Sequence, residues 1–227
     1  MRKTKQKQLL PEVIIRPTSS ASEQYRTISA NISFSMKDKK FKTILVTSPE
    51  ASAGKSTTIT NVAAILAAQG KKVLLLDCDL RKPSIHRKLN IPNNKGLSNI
   101  IANDVPIDEC IQIKDQIPNL SIITSGPIPT NPSNLITSDK MDVIIKELKD
   151  SELFDIIMID TPPTLVVSDS QTLASKVDAS VIITKYNQTK KEELNLTIKA
   201  LSNVKSNILG CIINEQPVSE HDYYYGA

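Results

Sequence analysis

Gly54-Lys55-Ser56-Thr57 is the stretch whose residue types point most directly to chemistry. The apolar Ile44-Leu45-Val46-Thr47 before it reads as a short buried strand, and the small residues of Ser48 to Ala53 turn the chain. Strand, tight turn and helix start, in that order, make a cradle for phosphate. Backbone N–H groups without helical partners converge at a helix N-terminus, where the helix dipole also favours negative charge. The binding loop is therefore placed at Ser52, Ala53, Gly54, Lys55, Ser56 and Thr57. Gly54 lets the backbone approach the ligand, Lys55 reaches terminal phosphates, and Ser56 offers a hydroxyl to magnesium. The usual G-x-x-x-x-G-K-[ST] pattern is incomplete, because its first glycine would fall at Pro49.

Acidic residues supply the complement. Open parallel sheets bind ligands at the carboxyl ends of their strands. Asp77 closes the run VLLLD, Asp79 lies two residues on, and Asp160 closes FDIIMID. Two such acids beside a phosphate cradle suit phosphoryl transfer, with ATP and Mg2+ as the expected cofactors. That reaction needs a metal on the β- and γ-phosphates and a carboxylate to orient or deprotonate the attacking hydroxyl. Asp160, followed by Thr161-Pro162-Pro163, suits magnesium, while Asp77 and Asp79 remain for the second metal contact and the base. Arg81 has two readings, a partner of phosphate or carboxylate and a solvated loop arginine. At the far end, Tyr223, Tyr224 and Tyr225 account for three of five tyrosines. They read as phosphate acceptors, or as an aromatic anchor for a partner. From Asn214 to Tyr223 an extended chain reaches at most ~30 Å, enough to enter a neighbouring subunit.

The elements that must position these groups alternate. The spacing predicts a helix over Ser22–Phe34, capped by Ser22, with Tyr25, Ile28 and Ile32 on one face and Phe34 off it. A helix over Lys55–Gln69 stops at Gly70, and Lys72–Asp77 forms the next strand. Short helical pieces are expected at Gly96–Asn103 and Ile107–Ile111, and strands at Leu120–Thr124, Phe154–Ile159, Ala179–Thr184 and Ile208–Ile213. Further helices are expected near Ser138–Lys149 and Asp169–Lys176. A last one begins at a Thr189/Glu192 capping box and carries Leu194, Ile198 and Leu201 on one face. The expected fold is α/β, a doubly wound, mostly parallel sheet with helices on both faces, of P-loop NTPase type. Residues 1–18, basic and broken by Pro11 and Pro17, read as a flexible arm, 19–215 as the catalytic domain and 216–227 as a tyrosine tail.

Composition sets the outer bounds. The 227 residues are 40% apolar, with three Phe and no Trp, so Ile, Leu, Val and Ala build the core. A net charge of +4 is too mild to imply nucleic acid. Cys78, Cys110 and Cys211, odd in number and far apart, fit a reducing cytoplasm and read as small apolar fillers. His86 and His221 lack metal-ligand spacing and read as surface residues. No apolar run approaches the ~18–20 residues that span a bilayer, and no signal peptide is expected. Arg2, Lys3, Lys5 and Lys7 could add attraction to an anionic membrane, about 1 kcal/mol each.

These residues carry a resemblance over almost the whole chain. TSPEASAGKST, VLLLDCDLRKP and IIMIDTPP, with GLSNII, TSGPIPTNPSNLI and the terminal tyrosines, resemble the bacterial tyrosine kinases (BY-kinases) of capsule and exopolysaccharide synthesis. The match in style is to the split, soluble cytoplasmic kinases of the staphylococcal capsule type. The resemblance implies that Lys55 and Ser56 bind ATP and magnesium, that Asp77 and Asp79 bind magnesium and act on the tyrosine hydroxyl, and that Asp160 is the Walker B ligand. It implies Asn214 as the adenine contact and Tyr223, Tyr224 and Tyr225 as autophosphorylation sites. A transmembrane activator of polysaccharide co-polymerase type, recruitment to the inner membrane face, a cognate tyrosine phosphatase and a homo-oligomeric ring follow from the same source. Ring contacts would fall on Glu23 and Arg26, weakened where Ser29 replaces the family's last arginine. Ala51-Ser52 replaces the family's Pro-Gly, which strains Ser52 if the loop needs positive φ there.

The same architecture serves partition and cell-division ATPases, which act as switches. Those carry a lysine five residues before the P-loop lysine, where this chain has Glu50. An iron–sulfur scaffold of this fold would need a C-x-x-C, and a non-enzymatic module would not need Lys55, Asp77, Asp79 and Asp160 together.

Overall fold

The structure, a computed structural model, describes residues 10–217. Six apolar runs become parallel strands because helices cover both faces of the sheet, leaving no polar side to pattern. In chain order, α1 (Glu12–Ile15) and α2 (Ser20–Lys39) precede β1 (Thr43–Thr47), α3 (Lys55–Ala68) and β2 (Val73–Asp77). Then come α4 (Ile85–Leu89), α5 (Leu97–Asn103), a 3-10 turn at Asp108–Cys110, β3 (Ile111–Ile113) and β4 (Leu120–Ile123). The second half holds α6 (Pro132–Ile136), α7 (Asp139–Asp150), β5 (Ile156–Asp160), α8 (Asp169–Ala174), β6 (Ala179–Lys185), α9 (Lys191–Asn203) and β7 (Ile208–Asn214).

The strand order is β3-β4-β2-β5-β1-β6-β7, with every pair parallel except β3 on β4. Strands β1, β2 and β5 are buried along their whole length. One core packs α1, α2 and α3 against the sheet through Val13, Ile32, Met36, Ile59 and Leu66. The other packs α5, α7, α8 and α9 through Leu97, Ile144, Leu148, Leu173 and Leu201. This is the expected doubly wound architecture, and it brings the carboxyl ends of β1, β2 and β5 side by side.

Several boundaries differ from the sequence expectations. Residues 10–18 are not a free arm. Pro11 blocks only a donor that a helix start leaves unpaired anyway, and α1 follows it, with Val13 buried and its N–H donating to Asn61 Oδ1 at 3.1 Å. Residues 1–9 lie outside the described residues. Helix α2 is capped by Ser19, whose Oγ accepts from the Ser22 N–H at 3.2 Å, while Ser22 itself is buried with its hydroxyl on Arg16 O. It runs on past Phe34 because Met36 buries against the core, and it ends at Lys40 in left-handed conformation (φ 55°). Phe34 is exposed, as its place off the apolar stripe requires.

The piece expected as helix at Ile107–Ile111 divides into the 3-10 turn and β3, since Ile111 can pair with Ile123 at the free edge of β4. Helix α9 is capped one residue later than expected: Glu193 Oε2 accepts from the Lys190 N–H at 2.9 Å, and Thr189 bonds elsewhere. Its buried face is Thr197 and Leu201, with Leu194 packed beside them, whereas Ile198 is partly exposed. Cys78 and Cys110 fill the core as expected, but Cys211 is exposed on the edge strand β7.

Candidate functional site

The phosphate loop joins β1 to α3, and its shape is set by three backbone choices. Gly54 precedes α3 with φ +92°, a region that favours glycine. A Cβ there would fall 2.0 Å from Asn214 Nδ2, so the loop packs directly against the end of β7. Asn214 Nδ2 donates to Ala53 O at 3.0 Å and fixes that packing. Ser52 has φ 63°, so the left-handed position anticipated for this loop is occupied by a residue with a side chain.

Lys55, in the first turn of α3, is only 7% exposed and donates from Nζ to Ser48 Oγ at 3.1 Å. Burial lowers its pKa, against the opposing charges of Asp160, Asp79 and Glu50. The Ser48 hydroxyl in turn donates to Glu50 O at 2.5 Å, and Glu50 Oε1 accepts from Thr189 Oγ1 at 2.5 Å. Thr189 Oγ1 also accepts from the Lys185 N–H at 2.8 Å. The loop is thereby tied to the turn after β6. Nothing in the sequence marks that tie, because Glu50 and Thr189 are 139 residues apart.

Asp77 and Asp160 are direct register partners at the ends of β2 and β5. Asp77 is fully buried, with Oδ1 accepting from the Asp79 N–H at 3.2 Å and Oδ2 from the Ile85 N–H at 3.3 Å. Burial, then the charges of Asp160 and Asp79, push its pKa well above the ordinary carboxylate value. Asp160 is 1% exposed, and among the described residues neither of its buried oxygens has a hydrogen-bond partner. Burial raises it to about 6, with the Ser56 hydroxyl and the Lys55 ammonium pulling the other way. An unpaired buried carboxylate is expensive unless something cationic meets it. Here the open oxygens sit by Ser56 and Lys55, so the residues fit a magnesium ion on a nucleotide. Among the described residues no cluster of three or more acidic, histidine or cysteine side chains is ready to hold a metal alone. Magnesium suits that arrangement, since it binds through one or two carboxylates and substrate phosphates.

Asp79 is half-buried, and its Oδ1 accepts from the Arg81 and Lys82 N–H groups at 3.3 and 2.9 Å. The structure therefore brings together Lys55, Ser56, Asp77, Asp79 and Asp160, framed by Ser52, Ala53 and Gly54 of the loop, Thr57 in the first turn of α3, and Asn214 at the end of β7. Arg81 does pair with a carboxylate, that of Asp169 rather than one of the acids closing β2 and β5. Its Nε donates to Asp169 Oδ2 at 2.9 Å and its Nη2 to Ser133 Oγ at 2.6 Å, which braces the loop after β2 against α6 and α8. Sequence reasoning passed over Lys88, whose Nζ donates to Thr57 Oγ1 at 2.7 Å beside the loop. His86 is half-buried rather than fully on the surface, and its Nδ1 has no partner among the described residues.

Away from the site, Arg26 pairs with Glu23 and donates to Pro17 O at 2.6 Å, and Ser29 is fully buried. Tyr223, Tyr224, Tyr225 and His221 lie outside the described residues. Among the described residues no helix is long and apolar enough to cross a membrane.

The sheet order, the loop between β1 and α3 and the acids closing β2 and β5 define a P-loop NTPase. Residues 41–216 match a family model described as an AAA domain. The chain is 39% identical over 213 residues, 93% of this chain and 89% of the other, to tyrosine-protein kinase YwqD of Bacillus subtilis. It is 37% identical over 214 residues, 93% and 92% of the two chains, to putative tyrosine-protein kinase CapB of Staphylococcus aureus. The structure of the kinase domain of Escherichia coli tyrosine kinase ETK superposes with a TM-score of 0.89 at 27% identity, covering 96% of this chain and 85% of that one. The chain belongs to the bacterial tyrosine-protein kinases, the BY-kinase family, and is an enzyme of that type.

Proposed function

We propose that this kinase transfers the γ-phosphoryl group of ATP to tyrosine, with its own Tyr223, Tyr224 and Tyr225 as acceptors presented between subunits. The observation that carries the reading is Asp160, whose two buried oxygens stand unpaired beside Ser56 and Lys55. A magnesium ion there, held by Ser56, Asp79 and Asp160, would neutralise the phosphates and polarise them for attack. Lys55 and the amides from Ser52 to Thr57 would bind the phosphates, and Asn214, packed against Ala53 and Gly54, would contact the adenine. Asp77 is the proton acceptor: burial between Asp160 and Asp79 raises its affinity for the phenolic proton. The tyrosine oxygen then forms its bond to phosphorus as the bond to the ADP oxygen breaks, and the proton moves to Asp77. Water is kept from the pair by the fully buried ends of β2 and β5.

Family membership supports the setting. The kinase would act in the cytoplasm, recruited to the membrane by a separate transmembrane activator whose cytoplasmic end completes the nucleotide site, and would regulate capsular or exopolysaccharide synthesis. A phosphatase would reverse it. Glu23 and Arg26 would serve a ring of subunits, and each added phosphate brings about −1.5 to −2 charge that loosens the assembly. The test mixes purified protein, labelled ATP and magnesium, with and without an activator fragment. Phosphotyrosine is expected, and is expected to vanish in Lys55→Met and in a chain with Tyr223, Tyr224 and Tyr225 changed to Phe. Hydrolysis of ATP with no label on tyrosine in any mixture would instead identify a switch.

A further inference from the structure

A cluster of cations stands at the mouth of this site with no role in the chemistry above. After β2 the chain folds back on its own acids, since Asp79 accepts the Lys82 N–H and Asp77 accepts the Ile85 N–H. That fold delivers α4 to the start of α3, where the Lys88 Nζ bonds Thr57 Oγ1 at 2.7 Å. Arg87 and Lys82 are exposed, and Lys88 is half exposed. Among the described residues none of the three makes a salt bridge, whereas their neighbour Arg81 is committed to Asp169. Arg87 also crowds Lys88 and His86 with like charge. Asp160 offsets part of the charge of Lys88 from inside the site. Exposed Arg87 and Lys82 have no carboxylate in salt-bridge reach among the described residues and are open to an anionic partner that arrives from outside.

The acceptor segment reads P-V-S-E-H-D-Y-Y-Y-G-A, with Glu220 and Asp222 at three and one residues before Tyr223. We propose that Lys82, Arg87 and Lys88 form an acidic-peptide clamp that selects tyrosines preceded by carboxylates, drawing Glu220 and Asp222 of the acceptor chain to α4. The inference rests on the kinase reading and names its substrate class: acidic tyrosine peptides. A clamp on α4 stands over the first turn of α3, so a peptide held there has its next residues directed toward Asp77 and Asp79. Sequence preference then resides in a loop that the phosphate chemistry does not use.

The first measurement is anisotropy of a fluorescein-labelled peptide of residues 217–227 titrated with the full chain and Mg-ADP. The acidic peptide should bind about fivefold tighter than one carrying E220Q and D222N, as two exposed charge pairs allow. R87Q/K88Q should lose that difference, and 0.5 M salt should erase it. The second measurement is the initial rate of phosphotyrosine formation in the full chain with activator fragment. R87E, at an exposed residue outside the phosphate loop, should slow it while the Kd for Mg-ADP holds, and combining it with E220K/D222K should restore it. Equal affinity for the acidic and neutral peptides, or no rescue by the charge swap, overturns the clamp and leaves the kinase intact. No phosphotyrosine in any chain or mixture overturns the kinase reading, and the clamp with it.

Discussion

Changing Asp160 to Asn should stabilise the ligand-free protein while destroying its use of magnesium nucleotide. The carboxyl is held at about 6 against an ordinary 3.8, because burial penalises the charge more than Lys55 and Ser56 relieve it. The native state therefore binds the proton more tightly than the unfolded chain, and its stability falls as pH rises from about 4 through 6. By neutral pH the charged Asp160 costs roughly 3 kcal/mol, at about 1.4 kcal/mol for each unit of pKa. That cost already contains the attraction to Lys55, so a neutral isostere recovers all of it. The assay is urea unfolding followed by circular dichroism at pH 4 and pH 7.5, without nucleotide and with chelator. A slope of about 2–3 kcal/mol per molar urea turns the gain into a midpoint about 1 M higher for D160N at pH 7.5 and little change at pH 4. Mg-ADP should then raise the midpoint of the parent protein and leave D160N unmoved. A D160N midpoint equal to or below the parent at pH 7.5 would refute the account of Asp160 as an unpaired buried charge awaiting a cation.

Two further outcomes follow from the loop. Ser52 occupies φ 63°, so S52G should remove about 1 kcal/mol of backbone strain, seen as a rise in Tm and a tighter Kd for Mg-ADP. Thr189→Ala should cost about 1–3 kcal/mol in urea unfolding, because it leaves both Glu50 and the Lys185 N–H without their bond, whereas T189S should retain most of it.

The linear chain was enough to place the strand, turn and helix around Lys55, and the acids at positions 77, 79 and 160, because short apolar runs bounded by turns read as parallel strands covered on both faces, whereas the longer run Val62–Ala68 continues a helix. All parallel strands finish on one edge, so the convergence of Lys55, Asp77 and Asp160 was legible from order alone. The role of Pro11 was misread, since a proline that breaks a long helix also starts a short one, and only the packing of Val13 on α3 shows which applies. Ser19, rather than Ser22, caps α2 for a similar reason: two serines fit the local rule, and burial of one chose between them.

Partners across the fold were beyond the sequence. The sequence identified Asn214 only through a likeness to other kinases, and the structure alone shows it filling the space that a side chain on Gly54 would need. Arg81 goes to Asp169 and Ser133 because α6 and α8 happen to flank its loop. Glu50 and Thr189, and Lys88 and Thr57, meet through turns whose local patterns carry no trace of each other. Local sequence fixes which backbone conformations are cheap, but hydrogen bonds between distant side chains depend on where rigid elements come to rest, and packing decides that.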